Sequence, residues 1–458
     1  MWDSDRTAKR PELPSLTARC DQREGLLDVC HSEKGKGSFM YQAMKRMACG
    51  VFLTVALLEC GYAQKALSWQ EIRAKFEAAN PTLRAGQIGI EEFRAQETTA
   101  YLRPNPTLSL IADQIDPFSS GPAHGPFAYF LTVGSGSYLL ERQHKRELRL
   151  ESAQKATRIA VSNQADLERT LVFNLRMSFV QTLQEKAVLD LARENLAYYD
   201  HLLDISRDRY KVGGIARVDL DRLELQRVQY ESDLQTAEVN LRTAKIQLLA
   251  LLNDRTPVDQ FDVAGPFDFA EQMPSLDEVR QTALDSRPDL RAAMESLDKA
   301  HTDNRLAWAN GSTDPTIGFD IGRNPPIDTY VGMSVSFPLR IFDRNQGEKQ
   351  RTQLDVGRNE QFVQAARAQV FGDVDSAYAA VNGSVILLQP YKARYLKQAT
   401  SVRDTIEFSY RHGAASLLDF LNAQADYRSI QVAYLNLIGS YLDAANQLNL
   451  AVGREVIP

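Results

Sequence analysis

Tyr210-Lys211-Val212-Gly213-Gly214-Ile215-Ala216-Arg217-Val218-Asp219 returns as Tyr410-Arg411-His412-Gly413-Ala414-Ala415-Ser416-Leu417-Leu418-Asp419, an offset of 200 sustained without a gap. Beyond it, the heptad Leu234, Ala237, Leu241, Ala244, Leu248, Leu251 falls on Tyr434, Leu437, Tyr441, Ala444, Leu448, Ala451. Upstream, Asn80-Pro81-Thr82-Leu83-Arg84-Ala85 is matched by Arg287-Pro288-Asp289-Leu290-Arg291-Ala292, and Asn105-Pro106-Thr107 by Asp314-Pro315-Thr316. Self-similarity on this scale decides the architecture before any local motif does. The chain reads as two copies of one unit, residues 64–265 and 266–458.

Each copy runs in the same order. A helix ends near the Asn-Pro or Arg-Pro pair (68–79 and 276–286), and a polar helix follows to about Arg103 or Asn310. Two strands come next, expected at about 106–115 and 128–137, then at about 315–322 and 329–337. Leu108 and Leu110 alternate with small or polar residues, as do Tyr129, Leu131 and Val133. Ile317, Phe319 and Ile321, then Val331, Met333, Val335 and Phe337, repeat the pattern. Period two with one apolar face means a half-exposed sheet. The loops 117–126 and 323–328 are rich in Pro, Gly and Ser and read as surface turns.

After the strands, helix formers take over, and no proline occurs between Pro126 and Pro257. Glu141 to Tyr210 as one helix would span roughly 105 Å at ~1.5 Å per residue. The glycine-bearing segments 212–216 and 412–415 supply the reversal, and the heptads place the returning helices on a coiled-coil seam. Long antiparallel hairpins are therefore expected at 141–253 and 341–452.

The 458 residues carry 53 Lys+Arg against 59 Asp+Glu, a formal net charge of −6, which argues against a nucleic-acid binder. No apolar run approaches the ~20 residues of a spanning helix, so a bilayer would be crossed by strands. The four cysteines, Cys20, Cys30, Cys49 and Cys60, all precede residue 61. Lys45 and Arg46, the apolar run 48–58 and Gly61-Tyr62-Ala63 have the form of an export signal at 44–63. On that reading, translation starts at Met40, Met44 or Met47, and 1–43 lies outside the mature protein. Cleavage after Ala63 competes with lipidation at Cys60, where Glu59 occupies the position a small residue should hold.

No enzyme chemistry is visible. The six histidines (31, 124, 144, 201, 301, 412) are scattered, and there is no phosphate-cradling glycine loop or Gly-x-Ser-x-Gly elbow. No catalytic residue, cofactor or metal site is expected. Four strands alone leave unpaired edges, which a bilayer does not tolerate. Several chains would have to combine. A periplasmic coiled-coil stalk or adaptor is the competing reading.

The doubled strand pair and hairpin, the Asn105-Pro106-Thr107 and Asp314-Pro315-Thr316 strand starts, and the Tyr-x-x-Gly-x-x-x-x-x-Asp pattern at 210 and 410 resemble TolC-type outer-membrane efflux proteins. The resemblance covers about 67–453. It implies a mainly α chain with membrane β structure that trimerises into a twelve-stranded outer-membrane barrel and a periplasmic helical tunnel. It also implies a passive conduit of a tripartite efflux or type I secretion system in a Gram-negative bacterium. The implied partners are two sister subunits, a periplasmic adaptor, an inner-membrane pump and outer-membrane lipid. Cargo, whether metal cation, drug or protein, stays open.

If the reversals form the closed tip, inward residues there come in threes. Asp219 and Asp419 lie in the first turns of the return helices, where the helix dipole favours carboxylates and capping is the plain explanation. For Asp419 the resemblance adds a place at the constriction, where crowding would raise proton affinity. The family's best-known members have a second aspartate where this chain has Asn422, and a latching arginine where it has Ala415. Tyr410, Arg411, Arg217 or Arg222 would then hold the gate. Gly213 and Gly413 suit a tight reversal. Gly214, Ile215, Ala414 and Ser416 are expected to be exposed for an adaptor, or simply to form an ordinary turn.

Overall fold

The structure, a computed structural model, describes residues 66–115, 130–270, 272–324 and 327–457. The expected export signal, the four cysteines, loop 117–126 and Tyr129 lie outside them.

The Asn-Pro and Arg-Pro pairs are helix junctions. Helix α1 (Trp69–Ala79) opens with a capping box between Ser68 and Glu71. Helix α2 (Pro81–Tyr101) follows at once, with proline at its first position and the Asn80 side chain accepting from the Thr82 and Leu83 amides at 2.9 and 3.1 Å. Proline is tolerated there because that N–H has no intrahelical partner. In the second copy the junction recurs between α5 (Leu276–Ser286) and α6 (Pro288–Asn310). There buried Arg287 replaces the cap and bridges Asp289 at 2.6 Å and Asp373 at 2.8 Å.

Strands β1 (Thr107–Asp113), β2 (Leu131–Leu139), β3 (Thr316–Asn324) and β4 (Ile327–Ser336) form one antiparallel sheet in sequence order. Its register fixes two faces. Phe319 opposes Gly136 and Met333, and Ile321 opposes Gly134 and Val331, so Leu108 and Leu110, paired with Gly136 and Gly134, share this apolar face. Leu110, Phe319 and Met333 are 78%, 54% and 79% exposed, leaving the face unburied within one chain. The β2 phase differs from the sequence reading. Val133 pairs with Ile111, and Leu131 with Asp113, on the opposite, largely polar face. Glycines stand at β2's apolar-face positions 134 and 136, and a glycine leaves no hydropathy signal.

Helix α3 (Lys145–Lys211) has 67 residues, about 100 Å at ~1.5 Å per residue. Helix α4 (Arg217–Leu251) returns along its distal half. Near the sheet α3 lies on α2 and α6, held by Lys145–Asp314 at 2.5 Å, Lys155 to Thr302 at 2.8 Å and Ser162 to Glu295 at 2.6 Å. The second hairpin is built from α7 (Gln346–Pro390), a π-helical turn (Tyr391–Tyr395), α8 (Leu396–Arg411) and α9 (Leu417–Val452). Pro390 lacks an N–H, and the wider turn follows it directly. This arm is thus interrupted where the first is continuous.

The seams bury Ala237, Ala244 and Leu248 in α4 and Tyr441, Leu448 and Ala451 in α9. Leu251 is an exception at 37% exposed, because Leu252 takes the core position. Among the described residues no helix is long and apolar enough to cross a membrane.

Candidate functional site

Both hairpins reverse by the same backbone device. Gly213 and Gly413 each adopt φ +77°, a left-handed conformation that glycine reaches without a Cβ penalty. The Gly214 amide donates to the Arg209 carbonyl at 2.7 Å and the Ala414 amide to Ser409 at 2.8 Å, consuming carbonyls that the helix ends leave open. Nothing lies within 4 Å of a Cβ built on either positive-φ glycine, so conformation rather than space requires it.

The return helices start differently. Ser416 caps α9: its hydroxyl accepts from the Asp419 amide at 3.1 Å, and the Asp419 carboxylate accepts from the Ser416 hydroxyl and amide at 2.6 and 3.2 Å. These bonds hold the Asp419 carboxyl below the usual carboxylate range. In the first copy Ala216 occupies the cap position and gives no side-chain bond, leaving Asp219 half-exposed in the first turn. Asn422 is exposed one turn after Asp419.

Tyr410 is the aromatic centre of the tip. Its ring stacks on buried Phe420 at 5.0 Å, and the Arg209 guanidinium from the other hairpin lies 5.6 Å from its centroid. The buried hydroxyl has no hydrogen-bond partner. Burial pushes its pKa up, Arg209 opposes the shift, and the Asp219 carboxylate adds to it. Phe420 belongs to a small core with Tyr199, Leu202, Leu203, Leu220 and Leu223, in which the Tyr199 hydroxyl donates to the Leu223 carbonyl at 3.0 Å.

Of the residues expected at the tip, Gly213, Gly214, Gly413, Ala414 and Ser416 are exposed, and Ser416 is engaged by Asp419. Ile215 instead packs against the tip core, whereas Val212 on the other side of the glycines is 83% exposed. Of the arginines named as gate-holders, Arg217 and Arg411 stay within their own hairpins: Arg217 bridges Asp221 at 2.9 Å and lies over Tyr210, and Arg411 bridges Glu407. Half-buried Glu407 has its pKa raised by desolvation, partly offset by Arg411. Arg209 was not legible beforehand, since its role depends on the neighbouring hairpin. Among the described residues no His/Cys/Asp/Glu group could hold a metal ion.

Residues 73–254 and 279–454 match the family described as outer membrane efflux protein. The pyoverdine export outer membrane protein OpmQ of Pseudomonas aeruginosa is 24% identical over 353 residues, covering 74% of this chain and 71% of that one. The cobalt-zinc-cadmium resistance protein CzcC of Cupriavidus metallidurans is 23% identical over 317 residues, 69% of this chain and 75% of that one. The solved open state of the Neisseria gonorrhoeae MtrE outer membrane channel superposes with a TM-score of 0.68 at 18% identity, covering 85% of this chain and 89% of that one. The two matched segments, one per repeat, leave the stalk and adaptor alternatives without support. This chain belongs to the outer membrane efflux protein family and is an outer-membrane efflux channel.

Proposed function

We propose that three copies join edge to edge, β1 of one beside β4 of the next, to close a twelve-stranded barrel continuous with a tunnel of six helical hairpins. The sheet carries this reading. It has two free edges and an exposed apolar face, and in lipid only closure pairs every strand amide. A second apolar stripe points the same way: Val218, Leu225, Val239 and Ile246 on α4 are 49–72% exposed at heptad spacing, ready for a helix of a neighbouring copy.

At the tip, Asp219, Asp419, Asn422 and Tyr410 line the constriction, and the Asp419 ring disfavours anions. The capping bonds that lower its pKa keep the charge in place at neutral pH. Gly213, Gly214, Gly413, Ala414 and Ser416 form the surface that a periplasmic adaptor engages, while an inner-membrane pump supplies energy and selects cargo. The relatives named for pyoverdine export and for cobalt, zinc and cadmium resistance bracket the cargo as small solutes or metal cations. The test is purification from outer membranes in detergent, with mass and single-channel conductance as readouts. A monomer that forms no channel overturns the assembly, and unchanged ion selectivity in Asp419→Ala removes the role of that residue.

A further inference from the structure

We propose that Asp320 is a fixed negative charge on the barrel wall that favours cationic over anionic solutes, independently of the tip. This rests on the reading that the sheet's polar face lines the lumen.

The register places Asp320 mid-strand in β3, opposite Ser135 of β2 and Gly332 of β4. Directly opposed residues project to the same face, and this face carries Ser109, Ser135, Ser137, Gly318, Gly322 and Ser334. The pairs between β3 and β4 share one construction. A Cβ on Gly318 would meet the Ser334 hydroxyl at 2.4 Å, one on Gly322 the Tyr330 ring at 3.0 Å, and one on Gly332 both Asp320 carboxylate oxygens at 2.7 Å. Each polar side chain therefore lies over a glycine. The Asp320 carboxylate is laid against the wall in the space that Gly332 leaves, its position set by the sheet.

Charge on this face is one-sided. Among the described strand residues whose pairing fixes their face, Asp113 and Asp320 fall on it and no lysine, arginine or histidine does; Arg323 pairs with Thr132 on the apolar side. Asp113 sits at a strand end, whereas Asp320 is well inside. Every solute in transit passes it. Screening over about 8 Å at physiological ionic strength confines its effect to solutes near the wall, so the probe must be local.

No cysteine occurs after Cys60, so Ser135→Cys puts a single thiol into residues 61–458, beside Asp320. Intact cells would be labelled with methanethiosulfonates bearing trimethylammonium or sulfonate groups, and modification at residue 135 read by peptide mass spectrometry. A unit charge at roughly 8 Å in water, screened over about one Debye length, changes the local concentration of a monovalent ion by a factor of about 1.4, so the cation-to-anion rate ratio should fall about twofold in Asp320→Asn. Asp320→Glu should retain the ratio, separating charge from a folding effect. Labelling with an unmoved ratio overturns this inference alone. Absence of labelling in cells, with full labelling after denaturation, places residue 135 outside an aqueous lumen and overturns the proposed assembly as well.

Discussion

Replacing Asp443 by asparagine should stabilise the protein at pH 8 and leave it unchanged at pH 4. Asp443 sits on α9, where Asn446 donates to the Phe173 carbonyl of α3 at 3.1 Å and Tyr441 fills the core. One carboxylate oxygen is buried without a hydrogen-bond partner, and desolvation lifts the pKa from 3.8 to about 6. A raised carboxyl pKa means that the folded state binds more protons than the unfolded one between these values. Stability therefore falls as pH rises through that window and is level above it. Two pK units correspond to ~3 kcal/mol, reduced to about 1–2 kcal/mol because the side chain keeps some solvent contact. Asparagine keeps the shape and cannot ionise. Thermal unfolding in detergent, followed by circular dichroism at pH 4, 6 and 8, should give Asp443→Asn a Tm higher by a few degrees at pH 8 only. An equal shift at pH 4 and pH 8, or none at pH 8, refutes the desolvation argument.

Gly413→Ala forces a Cβ into the left-handed region and should cost about 1–2 kcal/mol by the same melts, with Gly413→Asn milder. Ser416→Ala removes the bonds that depress the Asp419 pKa, so carboxyl NMR should show its titration midpoint rise and Tm should fall by a degree or two. Because that pKa is depressed in the fold, the contribution is present above the unfolded value and lost as pH falls. Arg287→Ala leaves the Asp289 and Asp373 carboxylates without their shared cation and should cost roughly 3–5 kcal/mol, and Arg287→Lys less. Arg287 also donates to the Ala451 carbonyl at 3.2 Å, so an Arg287→Ala protein that melts like the parent would show that the C-terminal end of α9 is held by apolar packing instead.

The parts that were legible in the sequence are those that recur and that a period betrays. The repeated Asn-Pro and Arg-Pro pairs mark helix junctions because proline fits only the first turn. The repeated glycines mark reversals because a positive φ selects them. What escaped depends on a partner strand or helix. The face of β2 could not be read, since Gly134 and Gly136 belong to the apolar side by pairing and not by hydropathy. Pro390 was visible, but the π turn that accommodates it was not. Arg209 and Asp320 acquire meaning only from Tyr410 and Gly332 across an interface that no single segment encodes.

The two repeats reverse by the same backbone device and differ in the side chains that face another repeat. Tyr210 is covered by Arg217 of its own hairpin, whereas its counterpart Tyr410 takes Arg209 from the other. Two of the ion pairs that join the repeats, Arg428–Asp233 at 2.7 Å and Arg176–Glu455 at 2.6 Å, have no counterpart at the positions offset by 200, which are Val228 with Ala433 and Ser376 with Arg255. Around a closed ring each repeat would meet two different neighbours, one covalently linked and one from the next chain. Such a head-to-tail contact asks different side chains of its two sides. A backbone reversal, by contrast, faces only its own helices and stays equal in both copies. In the proposed assembly, six hairpins would therefore reverse in the same way while the tip chemistry repeats three times.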